Sequence, residues 1–123
     1  MASPAVAQEQ PQAIREVPSG QSLRLSEVLI DTVGSDNWLR FRFLAPQIAR
    51  DGGDVSYSAA EPDFMHLCNR FARQYIEEFE LEADVIAISM MDRPVPFGQS
   101  DAQATQFFEV FRIAEDSCVW DGF

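Results

Sequence analysis

The chain has no lysine and only one histidine among its 123 residues. All nine basic residues are arginine, and they stand against 20 acidic residues, which gives a formal net charge of −11. A charge of this sign repels phosphate backbones, so we expect neither nucleic acid nor an anionic lipid surface as a partner. No apolar run approaches the ~20 residues that a membrane-spanning helix needs, which predicts no transmembrane segment.

Signatures of catalysis and of cofactor binding are also missing. Ser89 has no Gly-x-Ser-x-Gly context, and no glycine-rich phosphate-binding loop is present. The single histidine, His66, has no second His or Cys at ligand spacing. Asp51 and Asp54 flank two glycines, but their spacing matches no calcium loop and favours an ordinary turn. The sequence therefore predicts no catalytic residue, no metal and no cofactor, and favours a protein that is not an enzyme.

The N-terminus indicates export. Ala5 and Ala7 flank Val6 in the Ala-x-Ala form of a signal-peptidase site, so we expect residues 1–7 to be the remnant of a signal peptide. Residues 8–20 are polar and contain two prolines, which predicts a flexible tether. Residues 21–123 are then a single domain of an exported protein that folds outside the cytoplasm.

Hydrophobic periodicity predicts five strands and one helix. The predicted strands are residues 22–30, 38–44, 84–91, 105–114 and 118–120. In the first of these strands the alternation is irregular near Val28, which indicates a bulge. The helix is expected to open at residues 61–63, with Pro62 in its first turn, and to run to about Phe79. The order β-β-α-β-β-β predicts an α+β fold in which a single helix packs on one face of a mostly antiparallel sheet of four or five strands.

The two cysteines fall on elements that should pack together. Cys68 lies on the apolar stripe of the predicted helix, and Cys118 lies on the last predicted strand. In an exported protein this placement favours a disulfide, which would close a loop of about fifty residues and stabilise the fold by roughly 4 kcal/mol. The alternative is two separate buried thiols.

One predicted strand carries residues typical of interfaces. Trp38, Arg40 and Arg42 alternate with the presumed core residues and so share the opposite face of the sheet. The alternative is that both arginines pair across strands with Glu109 or another carboxylate, while Trp38 covers a sheet edge.

Further candidate contacts lie in the C-terminal half. The strand 105–114 has apolar groups on both faces, so that Phe108 is expected to join an exposed patch. The loop that carries Arg93, Pro94, Pro96 and Phe97 is either a rigid recognition loop or a rigid connection. Acidic residues at the helix end, among them Glu77 and Glu78, form either a hydrated surface or a patch for a basic partner or a cation.

Several motifs resemble those of a family of small proteins from alphaproteobacteria that has no assigned activity. The motifs are DRPVPFG at 92–98, TQFFEVFR at 105–112, CVWDGF at 118–123 and WLRFRFLAP at 38–46, together with the helix cysteine. The resemblance covers nearly all of the chain after Gly20 and implies export and one fold, but no mechanism.

These observations lead to one expectation and two alternatives. We expect a periplasmic accessory or protein-binding module with a partner in the cell envelope. One alternative is a small cell-envelope enzyme that acts through carboxylates, like a glycan hydrolase, which requires a concave pocket with two facing acids and a raised pKa. The other is a structural protein that associates with itself, as in a homodimer.

Overall fold

A computed structural model describes residues 13–14 and 17–121. The predicted signal-peptide remnant and residues 8–12 and 15–16 of the predicted tether lie outside the described residues. The elements in chain order are β1 (Ala13–Ile14), β2 (Leu23–Val33), β3 (Asp36–Leu44), a 3-10 turn (Pro46–Ile48), α1 (Tyr57–Leu67), a π-helical turn (Cys68–Ala72), α2 (Arg73–Glu78), β4 (Val85–Met91), β5 (Gln106–Ala114) and β6 (Ser117–Trp120).

The predicted α+β architecture is confirmed. The strands lie side by side in chain order from β1 to β6. Every neighbouring pair is antiparallel except β3 and β4, which are parallel because the helical segment carries the chain back across the sheet. The strand β1 is two residues long and adds to the five strands that the sequence predicts.

Local irregularities of the strands follow from the sequence. The pairing of β2 with β3 shifts register between Leu25 and Glu27, which confirms the predicted bulge. Gly34, with φ of 62°, opens the two-residue turn between β2 and β3. Glu115 and Asp116 both have positive φ, 54° and 69°, as the tight turn between β5 and β6 requires.

The helix begins earlier than predicted. The expectation that it opens at Glu61 was wrong, because Ser56 caps a helix that starts at Tyr57: its hydroxyl accepts a hydrogen bond from the backbone N–H of Ala59 at 3.2 Å. Pro62 therefore lies inside the helix rather than at its start. The helical segment continues through the π-helical turn to Glu78, close to the predicted end.

The core lies between the helical segment and one face of the sheet, which we call the covered face. Leu39, Phe41 and Phe43 are buried there, as the alternation predicts. The ring of Phe41 packs edge-on against Phe71 and Tyr75, at centroid distances of 6.0 and 5.3 Å. A disulfide joins Cys68 to Cys118 with a Cα–Cα distance of 6.2 Å, and both cysteines are buried. The helical segment is thus held to the last strand by a covalent bond.

The described part of the predicted tether packs on the domain. Val17 is buried in the core. The backbone N–H and the hydroxyl of Ser19 donate to the carboxylate of Asp63 at 2.8 and 2.6 Å, and the amide of Gln21 donates to it at 2.8 Å. Because Asp63 and Gln21 are fully buried, these bonds fix residues 17–21 to the helix α1.

Candidate functional site

The face of the sheet opposite the helical segment, which we call the open face, carries a cleft of about 210 Å³. The register of β3, β4 and β5 puts Arg40, Arg42, Ser89 and Phe108 on this face. The loop between β4 and β5 returns across it and contributes Phe97. The cleft therefore unites two separate candidates, the arginines of β3 and the loop that carries Phe97.

Both arginines of β3 pair with carboxylates on the neighbouring strand β2. Arg40 Nε donates to Asp31 Oδ1 at 2.9 Å. Arg42 pairs with Glu27, and its second terminal nitrogen donates to the carbonyl oxygen of Val95 at 2.7 Å. The predicted pairing across strands is thus confirmed for carboxylates of β2.

The prediction that Glu109 pairs with these arginines was wrong. Glu109 pairs in register with Ile88, whose side chain lies in the core, so the Glu109 side chain is on the covered face. Trp38 does not cover a sheet edge either, because β3 lies between β2 and β4. Its ring packs instead on the open face against Val85, Ala87 and Val110.

Aromatic rings lie over the guanidinium of Arg40 from two segments of the chain. Its Cζ atom is 4.7 Å from the ring centroid of Trp38 and 5.1 Å from that of Phe97. The Cζ atom of Arg42 is 5.6 Å from the same Phe97 ring. Contacts of this kind stabilise by about 0.5–1 kcal/mol each at exposed sites. They hold the exposed Phe97 ring over the sheet.

The loop that carries Phe97, residues 92–105, is closed at its base by hydrogen bonds. Asp92 Oδ1 accepts from the N–H of Thr105 at 2.7 Å, and the N–H of Asp92 donates to the Thr105 carbonyl at 3.0 Å. A guanidinium nitrogen of Arg50 donates to the carbonyl of Ala104 at 3.2 Å. Val95 is buried in a small apolar cluster under the loop. These contacts make the loop a fixed wall of the cleft.

Among the carboxylates of the described residues, Asp92 is the one whose pKa departs clearly from its ordinary value. Burial alone would raise the pKa of Asp92. The hydrogen bond from Thr105, together with the hydrogen bond and the positive charge of Arg93, outweighs burial and lowers the pKa below 3.8. The closed base of the loop therefore contains an ionised carboxylate at neutral pH.

The lining of the cleft combines exposed aromatic rings with neutral polar groups. Phe97 and Phe108 are 52% and 56% exposed. Gln99 and Gln106 supply amide groups, and none of the described lining residues is acidic. Such a surface can accept an apolar side chain and hydrogen-bond the backbone around it.

The other loop candidates lie beside the cleft. Arg93 pairs with its neighbour Asp92 at 3.1 Å. Pro94 and Pro96 are exposed on the loop, but neither they nor Arg93 line the cleft. Their predicted role in recognition stays a prediction.

Sequence reasoning missed Ser89, Gln99 and Gln106. The alternation of β5 carried a signal for Gln106, since it places Gln106 on the same face as Phe108. The alternation of β4 placed Ser89 on the open face in the same way. Gln99 has no such signal, because it reaches the cleft only through the path of the loop.

The acidic helix end is exposed, and Glu77 and Glu78 point to solvent. Asp84 accepts a hydrogen bond from the backbone N–H of Asn37 at 2.7 Å and so helps to dock this end on β3. Within residues 13–14 and 17–121, no three His, Cys, Asp or Glu side chains are arranged to hold a metal ion. The predicted patch for a basic partner stays a prediction.

No helix among the described residues is long and apolar enough to cross a membrane.

The fold and the cleft define a small α+β domain with one sheet face that the helical segment leaves uncovered. The chain belongs to a family of unknown function, DUF6497, which matches residues 1–123. Nothing among curated proteins or solved structures matches the chain.

Proposed function

We propose that this protein is a binding module that docks a protein partner on the open face of its sheet. The observation that carries the proposal is the pair of exposed rings, Phe97 and Phe108, which line one cleft on a sheet face that the helical segment leaves uncovered. Aromatic residues, phenylalanine among them, and arginine are residue types enriched in protein interfaces.

The charge of the cleft indicates what kind of contact it makes. Arg40 and Arg42 are neutralised by Asp31 and Glu27, and the whole chain carries a net charge of −11. The cleft therefore offers little attraction to an anionic ligand. An apolar side chain of the partner, bordered by backbone groups that hydrogen-bond Gln99 and Gln106, fits this lining best.

We further propose that the protein works in the cell envelope of a bacterium, as a periplasmic or secreted protein. The disulfide between Cys68 and Cys118 supports this, because disulfides persist in oxidising compartments. Mass spectrometry of the protein from an envelope fraction should find a mature chain that begins near Gln8 and contains no free thiol. An intact N-terminus together with two free thiols would contradict export. The assignment to alphaproteobacteria rests on the resemblance alone.

The test of docking is a double substitution, Phe97→Ala with Phe108→Ala. Both side chains are exposed, so the fold should survive, while loss of two hot-spot rings should weaken binding at least about tenfold. Purified wild type and variant are used to capture proteins from envelope extract, and one captured protein is then purified for a direct titration. A partner bound equally well by both would overturn the proposal.

The matched control removes two exposed apolar side chains outside the cleft, Ile30→Ala with Val119→Ala. This variant should bind the partner as wild type does. Light scattering on the purified protein tests for self-association. If it finds a homodimer that the cleft variant abolishes, the partner is a second copy of the chain.

An enzyme acting through carboxylates has less support at this cleft. Two acids would have to face one substrate there, as in glycoside hydrolysis, and the described lining of the cleft contains none. Glu61 and Glu109 do line a common cleft, but it lies on the covered side of the sheet.

A further inference from the structure

We propose that this second cleft binds an organic cation of the alkylammonium type, such as the side chain of a lysine. The cleft lies between the helix α1 and the strands β5 and β6, and its volume is about 270 Å³. It is on the opposite side of the sheet from the open face, so the inference does not depend on the docking function proposed above.

A carboxylate held between two aromatic side chains is the centre of the site. Glu109 Oε1 accepts a hydrogen bond from the indole N–H of Trp120 at 2.6 Å, and Oε2 accepts one from the hydroxyl of Tyr57. The three residues come from β5, β6 and α1. Trp120 and Tyr57 are 56% and 38% exposed, so the arrangement is open to a ligand.

The surrounding contacts fix this arrangement before any ligand binds. The Tyr57 ring packs edge-on against Phe107 at a centroid distance of 5.2 Å and an angle of 90°. Phe64, Met65 and Phe111 form the apolar walls of the cleft. The Glu109 carboxylate, held by Tyr57 and Trp120, therefore has little freedom left to lose on binding, which favours affinity.

The charge of the cleft selects a cation. Glu61 also lines it, while no basic residue is among its described lining. The two hydrogen bonds to Glu109 leave lone pairs on each of its oxygens, to which an ammonium N–H can donate. The aromatic rings that line the cleft, those of Phe64, Phe111 and Trp120, can attract the same positive charge with their electron-rich faces.

The apolar walls select a cation with a hydrocarbon stem. Phe64, Met65 and Phe111 can cover methylene groups, as long cationic side chains commonly require. A neutral apolar ligand would instead remove water from Glu109 without replacing the hydrogen bonds of that water, which costs free energy. The chain itself contains no lysine, so an ammonium side chain in this cleft has to come from another molecule.

The test uses the two tryptophans of the chain as probe and internal control. The folded protein, labelled with ¹⁵N, is titrated with n-butylammonium chloride while the indole N–H signals are followed by NMR. The Trp120 signal should shift and saturate, because its N–H bonds directly to Glu109, while the Trp38 signal on the open face stays in place. Sodium chloride at equal ionic strength should move neither signal.

Variants locate the binding. Glu109→Gln keeps the shape and an acceptor but removes the charge, and should weaken binding at least about tenfold. Glu78→Gln removes the same charge from the exposed helix end and should leave binding unchanged. If Glu109→Gln does not fold, Glu61→Gln takes its place and should weaken binding severalfold.

Three results would each overturn the proposal. The first is a Trp120 signal that does not move. The second is a response to n-butanol that equals the response to n-butylammonium. The third is an unchanged affinity in folded Glu109→Gln, or in Glu61→Gln where that variant takes its place. A response to tetramethylammonium but not to n-butylammonium would also exclude hydrogen bonding to the carboxylate. Nα-acetyl-lysine methylamide separates the sources: tighter binding than n-butylammonium indicates a polypeptide, and equal binding indicates a free amine.

Discussion

The two faces of the sheet are built from different interactions. The covered face holds a continuous apolar core under the helical segment, and the Cys68–Cys118 disulfide ties that segment to β6. The open face holds arginine–carboxylate pairs, a small apolar cluster under the loop 92–105, and two exposed phenylalanines.

This difference separates stability from recognition. Burial of large apolar side chains contributes most of the free energy of folding, and most of that burial lies on the covered face. Phe97 and Phe108 keep about half of their surface exposed, so the open face can present them without the fold depending on them. Substitutions that affect one face and not the other therefore test the comparison.

The largest difference is expected between two phenylalanine substitutions. Phe41 is fully buried and Phe108 is 56% exposed. Phe41→Ala should lower the free energy of unfolding by about 3–5 kcal/mol, because it removes buried area and leaves a cavity. Phe108→Ala should change it by no more than about 0.5 kcal/mol. Urea titration of both variants measures this, and equal losses would remove the distinction between the faces.

The disulfide gives the next largest effect. The double variant Cys68→Ala with Cys118→Ala should lose about 2–4 kcal/mol, since the cross-link restricts a loop of about fifty residues in the unfolded chain. Wild type unfolded in the presence of a reducing agent should show a similar loss. If the oxidised and reduced proteins unfold at the same urea concentration, the helical segment does not need its covalent tie.

The main features of the fold could be predicted because they depend on local patterns. The alternation of Leu39, Phe41 and Phe43 fixes which side of β3 is buried, and the broken alternation before Val28 marks the bulge. The start of the helix was missed because Pro62 resembles a first-turn proline, while the cap is formed by the less distinctive Ser56.

The candidate sites were less predictable because they depend on distant contacts. Phe97 reaches the arginines only because Asp92 and Thr105 close the loop at its base, thirteen residues apart. Glu109 meets Tyr57 across fifty-two residues, and nothing in the local sequence of either residue indicates the other. The exposure of Phe108 could be predicted, since β5 is apolar on both faces and one helical segment covers only one of them.

The smallest effect concerns the loop on the open face and depends on pH. The folded-state pKa of Asp92 is lowered relative to 3.8, so its charge stabilises the fold fully above that pH. This contribution is lost as the pH falls through the lower folded-state value. Asp92→Asn should therefore cost about 0.5–1 kcal/mol at neutral pH, and the difference from wild type should shrink as the pH falls below about 4. Urea titrations at several pH values measure both quantities.

Asp51→Asn, which removes the same charge from an exposed loop, should change stability by less than about 0.5 kcal/mol at neutral pH. A difference for Asp92→Asn that stays constant down to acid pH would mean that the loop is held by its shape and not by the charge at its base.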